Sequence, residues 1–193
     1  METIPGNRGW TPELDRKARR LEWLVLDVDG VLTDGRLHVS ADGELFKSFD
    51  VRDGLAIKLA QAGGITVGLL SARSSEIVER RAAEVGIAEI IQGSDDKGAA
   101  LGQLLARRGL DAAAVAYMGD DLQDLSALAV AGLSAAPADA AAEVRAAVDY
   151  ATAAAGGRGA VRELVERLLV ARGSWAAIVA RLAAGGASRA ADP

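Results

Sequence analysis

Residues 24–35 read LVLDVDGVLTDG. An unbroken apolar run ends at Asp27 and Asp29, with Gly30 directly behind them and Asp34 a few positions further on. A short run without polar alternation is the pattern of a strand buried on both faces, as in parallel sheets covered by helices. Two acids two positions apart on an extended strand can point the same way. Carboxylates brought together repel, so they need a cation or a shared proton.

The same punctuation recurs along the chain. ITVGLLSAR (65–73), AEIIQG (88–93) and AAVAYMGDD (113–121) are apolar runs that end in polar residues. GLSAAPA (132–138) and DYATAAAGG (149–157) read as two further short strands. Between them lie helical patterns: DGLAIKLAQAGG (53–64), SSEIVERRAAEVG (74–86), DDKGAALGQLLARRG (95–109), LQDLSALAVAG (122–132), DAAAEVRAAVD (139–149) and AVRELVERLLVARG (160–173). Glycines close several of these, as helix C-termini favour. Strand and helix in alternation predict a doubly wound, mostly parallel, Rossmann-like α/β sheet. Ligands of such sheets bind outside the carboxyl ends of the strands. Asp27, Asp29, Ser71, Arg73, Asp120 and Asp121 all fall there.

Two segments stand apart. GRLHVSADGELFKSF (35–49) shows two alternating stretches around Ala41-Asp42-Gly43, which predicts a β-hairpin over about 35–48. Residues 13–23, ELDRKARRLEW, suggest a short polar helix with Thr11 as cap and Pro12 in its first turn. We expect residues 1–20 to be an N-terminal extension, 21–172 the main domain, and 173–193 an Ala/Gly-rich tail frayed at its end.

Composition narrows the chemistry. Among 193 residues, 27 are acidic and 22 basic, a formal net charge of −5, which argues against nucleic acid as a partner. With no cysteine, disulfides, thiolate catalysis and cysteine-ligated zinc are excluded. The single histidine, His38, makes histidine-based zinc or serine–histidine catalysis hard to build. The polar N-terminal stretch and the lack of a span of roughly 20 apolar residues predict a cytoplasmic protein without a membrane anchor.

Taken singly, these residues carry little weight. A lone DxD is usually a loop or cap, and GDDLQDL (119–125) resembles an ordinary acid-rich helix start. Lys97 alone reads as a solvated helix lysine, Ser71 as a turn residue, Arg80 and Arg81 as a helix face, and Arg158 as a loop charge. His38 and the tryptophans Trp10, Trp23 and Trp175 read as packing or surface residues. Their joint occurrence, each at a strand end, is what points to a site. Clustered carboxylates suit a hard divalent ion, Mg²⁺ first. A serine, a lysine and arginines at helix starts suit an anion. Together they describe phosphoryl transfer, with an aspartate able to attack phosphorus and a second acid able to move the protons.

DVDGVLTDG, LLSAR, Lys97 and GDDLQDL resemble the four motifs of the haloacid dehalogenase superfamily of phosphatases. FDVRDGLAIKLA, QGSDDK and YATAAAGGRGAVRELVERLL resemble more closely its branch without a large cap domain, the 3-deoxy-D-manno-octulosonate 8-phosphate (KDO 8-phosphate) phosphatases. The resemblance spans about residues 20–170. It implies a Mg²⁺-dependent hydrolysis of a small sugar-acid phosphate through an aspartyl-phosphate, feeding lipopolysaccharide synthesis. Asp27 would be nucleophile and metal ligand. Asp29 would be the acid/base and would offer the metal its backbone carbonyl. Ser71 and Lys97 would hold the phosphoryl group. Asp120 would complete the metal ligands, with Asp121 and Asp124 behind them.

By the same resemblance, Asp50, Val51, Arg52, Asp53 and Gly54 would line the substrate pocket. Lys58, Arg73 and Arg81 would reach the sugar acid or phosphate. The hairpin would help build a homotetramer, and the GGRG loop would carry Arg158 toward a neighbouring subunit's site. Asp34 is left as a turn residue entering the hairpin. The second motif has Ala72 where glycine is common, and the tail beyond Arg172 is not recognisably shared. The same motifs also fit a phosphatase for a nine-carbon 2-keto-3-deoxy sugar acid 9-phosphate. A third reading is a non-catalytic oligomerisation module of sialic-acid metabolism, which the full set of reacting groups disfavours.

Overall fold

The computed structural model describes residues 9–189. The run that opens the domain forms β1 (Trp23–Leu26), and it sits in the middle of the sheet. Its parallel neighbours are β4 (Thr66–Leu70) and β6 (Val115–Met118), paired residue for residue along its length. Outside β4 lies β5 (Glu89–Ile91); outside β6 lie β7 (Leu133–Ala136) and then β8 (Tyr150–Ala151), again parallel. The order β5-β4-β1-β6-β7-β8 is the doubly wound sheet expected from the alternation of elements.

The lack of polar alternation in β1 has a direct packing cause. Leu24 and Leu26 belong to one apolar core and Val25 to the other, all without solvent exposure. The first core is capped by α1 (Pro12–Arg20), α2 (Val51–Ala62), α3 (Glu76–Val85) and α7 (Ala160–Ala171). The second is covered by α4 (Lys97–Arg108), α5 (Leu125–Val130) and α6 (Ala142–Ala147). Each fully buried leucine contributes about 1.5–3 kcal/mol relative to exposure, so the centre of the sheet is a stiff base for whatever its strand ends carry.

The N-terminal segment is docked rather than appended. Thr11 Oγ1 accepts the Leu14 N–H at 3.3 Å as the helix cap, with Pro12 in the first turn. The Trp10 ring packs edge-on against Tyr150, with centroids 5.0 Å apart. Lys17 reaches Asp149 at 2.7 Å. Residues 1–8 of the expected extension lie outside the described residues.

The hairpin forms, but its strands are shorter than the expected span. β2 (His38–Ser40) and β3 (Gly43–Phe46) pair antiparallel with an irregularity between His38 and Val39. Gly43 turns at φ +121°, a conformation that favours glycine. His38 stacks on Phe46 at 4.1 Å, a packing role as expected. Among the described residues, this two-stranded unit is the one segment that rises from the core, and no large cap domain covers the strand ends.

The tail is where the sequence reading falls shortest. Within the expected Ala/Gly-rich tail, to which the sequence reading assigns no element, a helix forms, α8 (Trp175–Arg189). Ile178 is buried in the first core, and the Trp175 ring takes the Arg162 guanidinium at 5.4 Å. Tertiary contacts at its first turns support the helix. The frayed end expected at 190–193 lies outside the described residues.

Candidate active site

Asp27 follows the last residue of β1, and its backbone N–H donates to the Met118 carbonyl at 2.9 Å. That bond continues the β1–β6 ladder by one residue and brings Asp27 beside the loop that follows β6. The side chains of Asp27, Asp120 and Asp124 offer carboxylate oxygens that all lie within 4.8 Å of one another. Lys97, the first residue of α4, has no solvent exposure. Its Nζ lies 3.0 Å from Asp27 Oδ2 and 2.6 Å from Asp124 Oδ1. A solvated helix lysine is therefore ruled out.

The three acids are not equivalent. Asp124 accepts from Lys97 Nζ and Tyr117 Oη at one oxygen, both at 2.6 Å, and from the Asp120 and Asp121 N–H groups at the other, both at 3.0 Å. With four donors, it has no lone pair to spare for a metal. Asp120 differs: its Oδ1 is buried with no hydrogen-bond partner. A buried carboxylate oxygen without a donor is costly unless a cation completes it. Asp27 and Asp120 thus fit a hard divalent ion by their donor type and by this unmet oxygen. Asp124 orients the loop from behind.

The electrostatics agree. Burial, then the Asp124 charge, raises the Asp27 carboxyl to about 6 despite Lys97. Burial, then the Asp27 and Asp124 charges, raises Asp120 to about 8. Burial would lower Lys97, but the two carboxylates beside it outweigh that and hold it above the usual range. Tyr117 is pushed well above its usual range by burial and by the Asp124 charge, so it stays a donor.

The loops around this cluster are packed backbone to backbone. A Cβ on Gly30 (φ +88°) would stand 1.9 Å from Asp120 Oδ2, so only glycine leaves that carboxylate its place. A Cβ on Gly156, in the GGRG loop, would stand 1.7 Å from the Gly30 carbonyl oxygen. The GGRG loop therefore lies directly on the loop that carries the two leading acids. Asp53, buried at the start of α2, fastens the other side of it. Its carboxylate accepts from the Gly159 N–H at 3.1 Å and the Arg162 N–H at 2.8 Å. Burial still raises its pKa, against those two bonds.

The remaining predicted residues divide into two groups. Ser71 and Arg73 follow β4, next to β1; Ser71 is buried and its Oγ accepts the Arg73 N–H at 3.2 Å. Arg73 Nε lies 3.7 Å from Asp29 Oδ2, which ties the second loop to the first. Asp121 caps the 3₁₀ turn Leu122–Asp124 that leads into α5. Further along, Lys58 and Arg81 meet at a shallow depression of about 210 Å³ between α2 and α3, with Val51 and Gly54. Gly54 lets the Arg81 guanidinium lie close against α2: a Cβ there would stand 2.1 Å from it and the arginine would have to move. Asp50 caps α2 through the Arg52 N–H at 2.7 Å, and Arg52 reaches both Asp50 and the Arg158 carbonyl. The Arg158 side chain is exposed. Asp34 accepts the Arg36 N–H at 3.3 Å, the turn role expected of it.

Sequence reasoning missed Tyr117, Glu44 and Lys47. Tyr117 had a legible signal, since a hydroxyl in a fully buried strand must find a partner. Lys47 had none, because on an alternating hairpin it looks like any solvated lysine. It is instead nearly sealed from solvent, with Nζ 2.5 Å from Asp29 Oδ1 and 3.0 Å from Glu44 Oε1.

Comparison with known proteins agrees with this geometry. Residues 71–164 match the model of a family described as haloacid dehalogenase-like hydrolase. The chain is 44% identical over 160 residues to 3-deoxy-D-manno-octulosonate 8-phosphate phosphatase KdsC of Haemophilus influenzae, covering 83% of this chain and 89% of the relative. It is 42% identical over 163 residues to the same-named protein of Salmonella typhimurium, covering 84% and 87%. Among solved structures, the Moraxella catarrhalis phosphatase in complex with magnesium, phosphate and KDO is 39% identical. It superposes with a TM-score of 0.87, covering 90% of this chain and 99% of that one. The cobalt-bound H. influenzae enzyme is 45% identical with a TM-score of 0.80, covering 82% and 93%. On the strength of these matches, the chain belongs to the KDO 8-phosphate phosphatase family of haloacid dehalogenase-like hydrolases.

Proposed function

We propose that the protein is a phosphoric monoester hydrolase that releases KDO and phosphate from KDO 8-phosphate. The observation that carries this reading is the cluster of buried Asp27 and Lys97 with half-buried Asp120, one oxygen of which is left without a donor. A close relative with the same fold holds magnesium, phosphate and KDO together. Bound Mg²⁺ supplies charge neutralisation for the transferring phosphoryl group, and Asp27, Asp120 and the Asp29 carbonyl are the groups we assign to it.

The chain's own residues then divide the work. Asp27 attacks phosphorus and the phosphorus–oxygen bond to the sugar breaks. Asp29 gives its proton to the departing oxygen and afterwards takes one from the water that attacks the aspartyl-phosphate. Phosphate leaves and Asp27 is restored. Ser71 and Lys97 hold the non-bridging oxygens. Arg73, Arg81, Lys58, Arg158 and the Asp50–Gly54 turn are assigned to the sugar acid, an anion for which this cationic rim is suited.

We also propose a homotetramer. Leu37, Val39, Leu45 and Phe46 on the hairpin are all about half exposed or more, an apolar patch that supports burial against other copies. Sedimentation at micromolar concentration tests this, and a monomer would contradict it. A cytoplasmic location belongs to the same proposal, since an anionic sugar-acid phosphate does not cross a membrane unaided, and is tested by cell fractionation. Among the described residues no helix is long and apolar enough to cross a membrane.

The function is tested by phosphate release with and without Mg²⁺, using KDO 8-phosphate and a nine-carbon 2-keto-3-deoxy sugar acid 9-phosphate in parallel. We expect Mg²⁺-dependent turnover that favours the eight-carbon ester. Negligible turnover of that ester beside brisk turnover of the nine-carbon one would overturn the substrate assignment. No turnover of either would leave only the non-catalytic module.

A further inference from the structure

The Lys47 ammonium belongs to a built arrangement, not to a chance surface pair. Its side chain is only 2% exposed although it sits just past the end of β3, on the element that otherwise stands clear of the core. One carboxylate it meets is Asp29; the other is Glu44, on the hairpin itself. Glu44 is held in turn by the Ser75 hydroxyl, which donates to its Oε2. Ser75 is the N-cap residue of α3, yet makes no side-chain bond to its own helix. Such a cap bond is typically worth about 1 kcal/mol. Here the hydroxyl is directed to the hairpin instead.

The consequence falls on Asp29. Its Oδ1 meets Lys47 and its Oδ2 faces Arg73, so each oxygen has its own cation. A short carboxylate beside three other acids would otherwise turn freely or draw metal to its side chain. We propose that Lys47 is a positioning residue for the hydrolysis: clamped by Glu44, it fixes the Asp29 carboxyl where it meets the departing oxygen of the substrate. On this view the hairpin carries part of the catalytic geometry in addition to any role between subunits. The inference rests on the reading of Asp29 as acid/base.

The test separates proton delivery from folding and from sugar binding by using aryl phosphates, which lack the sugar acid. kcat/KM reports the step in which the alcohol departs. A 4-nitrophenolate departs without help, whereas phenolate needs its proton. With Mg²⁺ present, Lys47→Met is expected to lose roughly a hundredfold on phenyl phosphate and less than about threefold on 4-nitrophenyl phosphate, the scale of general-acid catalysis. Lys47→Arg should recover part of the loss, and Glu44→Gln, which leaves the ammonium in place, should show the same selectivity more weakly. Asp29→Asn sets the reference pattern. Equal losses on both esters, or no loss on either, in folded Lys47→Met and Glu44→Gln proteins would overturn the proposal while Asp29→Asn remains selective. If Asp29→Asn itself shows no leaving-group dependence, the acid/base reading fails and the positioning role with it.

Discussion

Lys97 Nζ lies 3.0 Å from Asp27 Oδ2, and both side chains are shut off from solvent. The same ammonium binds Asp124, so one cation holds two carboxylates that would otherwise repel. Replacing it with an apolar chain of similar length leaves both acids buried without their partner. Removing one member of a buried ion pair costs about 3–5 kcal/mol. We expect Lys97→Met to lower the melting temperature of the metal-free protein and to reduce phosphate release by at least about a hundredfold. Thermal melting and steady-state kinetics check the two effects separately.

Metal should stabilise the fold more at high pH than at low pH. Asp27 and Asp120 are raised in the folded protein, to about 6 and about 8, from an ordinary value of 3.8. Between 3.8 and those values the folded chain holds more protons than the unfolded one. The stability these two groups contribute is therefore full below about pH 4 and falls as pH rises through 6 and then 8. Mg²⁺ takes the place of the protons. We expect the rise in melting temperature on adding Mg²⁺ to be clearly larger at pH 8 than at pH 5.5. An equal rise at both would contradict the site's electrostatics.

Gly156 leaves no room for a methyl group. An added Cβ would stand 1.7 Å from the Gly30 carbonyl oxygen, which is backbone and part of the loop carrying the acids. Gly156→Ala should therefore cost about 3 kcal/mol, the upper end for an overpacked site, and weaken Mg²⁺ binding by displacing that loop. Melting curves and Mg²⁺ titration would show both; a wild-type Mg²⁺ affinity would mean the two loops are not mechanically joined.

Tyr117 donates to Asp124 at 2.6 Å from within the sheet. Tyr117→Phe keeps the ring and removes one of the four donors to that carboxylate. A bond to a charged acceptor contributes about 1.5–3 kcal/mol, so stability should fall within that range by denaturant unfolding. Because Lys97 still holds the same oxygen, turnover should stay within about threefold of wild type. A loss of activity as large as that of Lys97→Met would show that Tyr117 does more than support the loop.

Much of this site was legible in the sequence, for a physical reason. The strands are buried on both faces, so their ends are sharply marked, and Asp27, Ser71 and Asp120 each stand just beyond one. Lys97 was found through its motif; its burial between two acids was not visible, since a helix-start lysine looks alike in either setting. The sequence places Asp53 at the pocket but does not show that its carboxylate accepts two backbone N–H groups of the GGRG loop some hundred residues away. Lys47 and α8 were missed for the same kind of reason. Their burial depends on contacts made across the chain, and local periodicity carries no record of them.

In the proposed reaction Asp27 carries the phosphoryl group. The most direct test compares wild-type protein with Asp27→Asn for phosphate release from KDO 8-phosphate in saturating Mg²⁺, with melting temperature measured on both. We predict steady release by the wild type that chelation abolishes, and none above background from Asp27→Asn despite an intact fold. Turnover of Asp27→Asn at the wild-type rate would contradict the account.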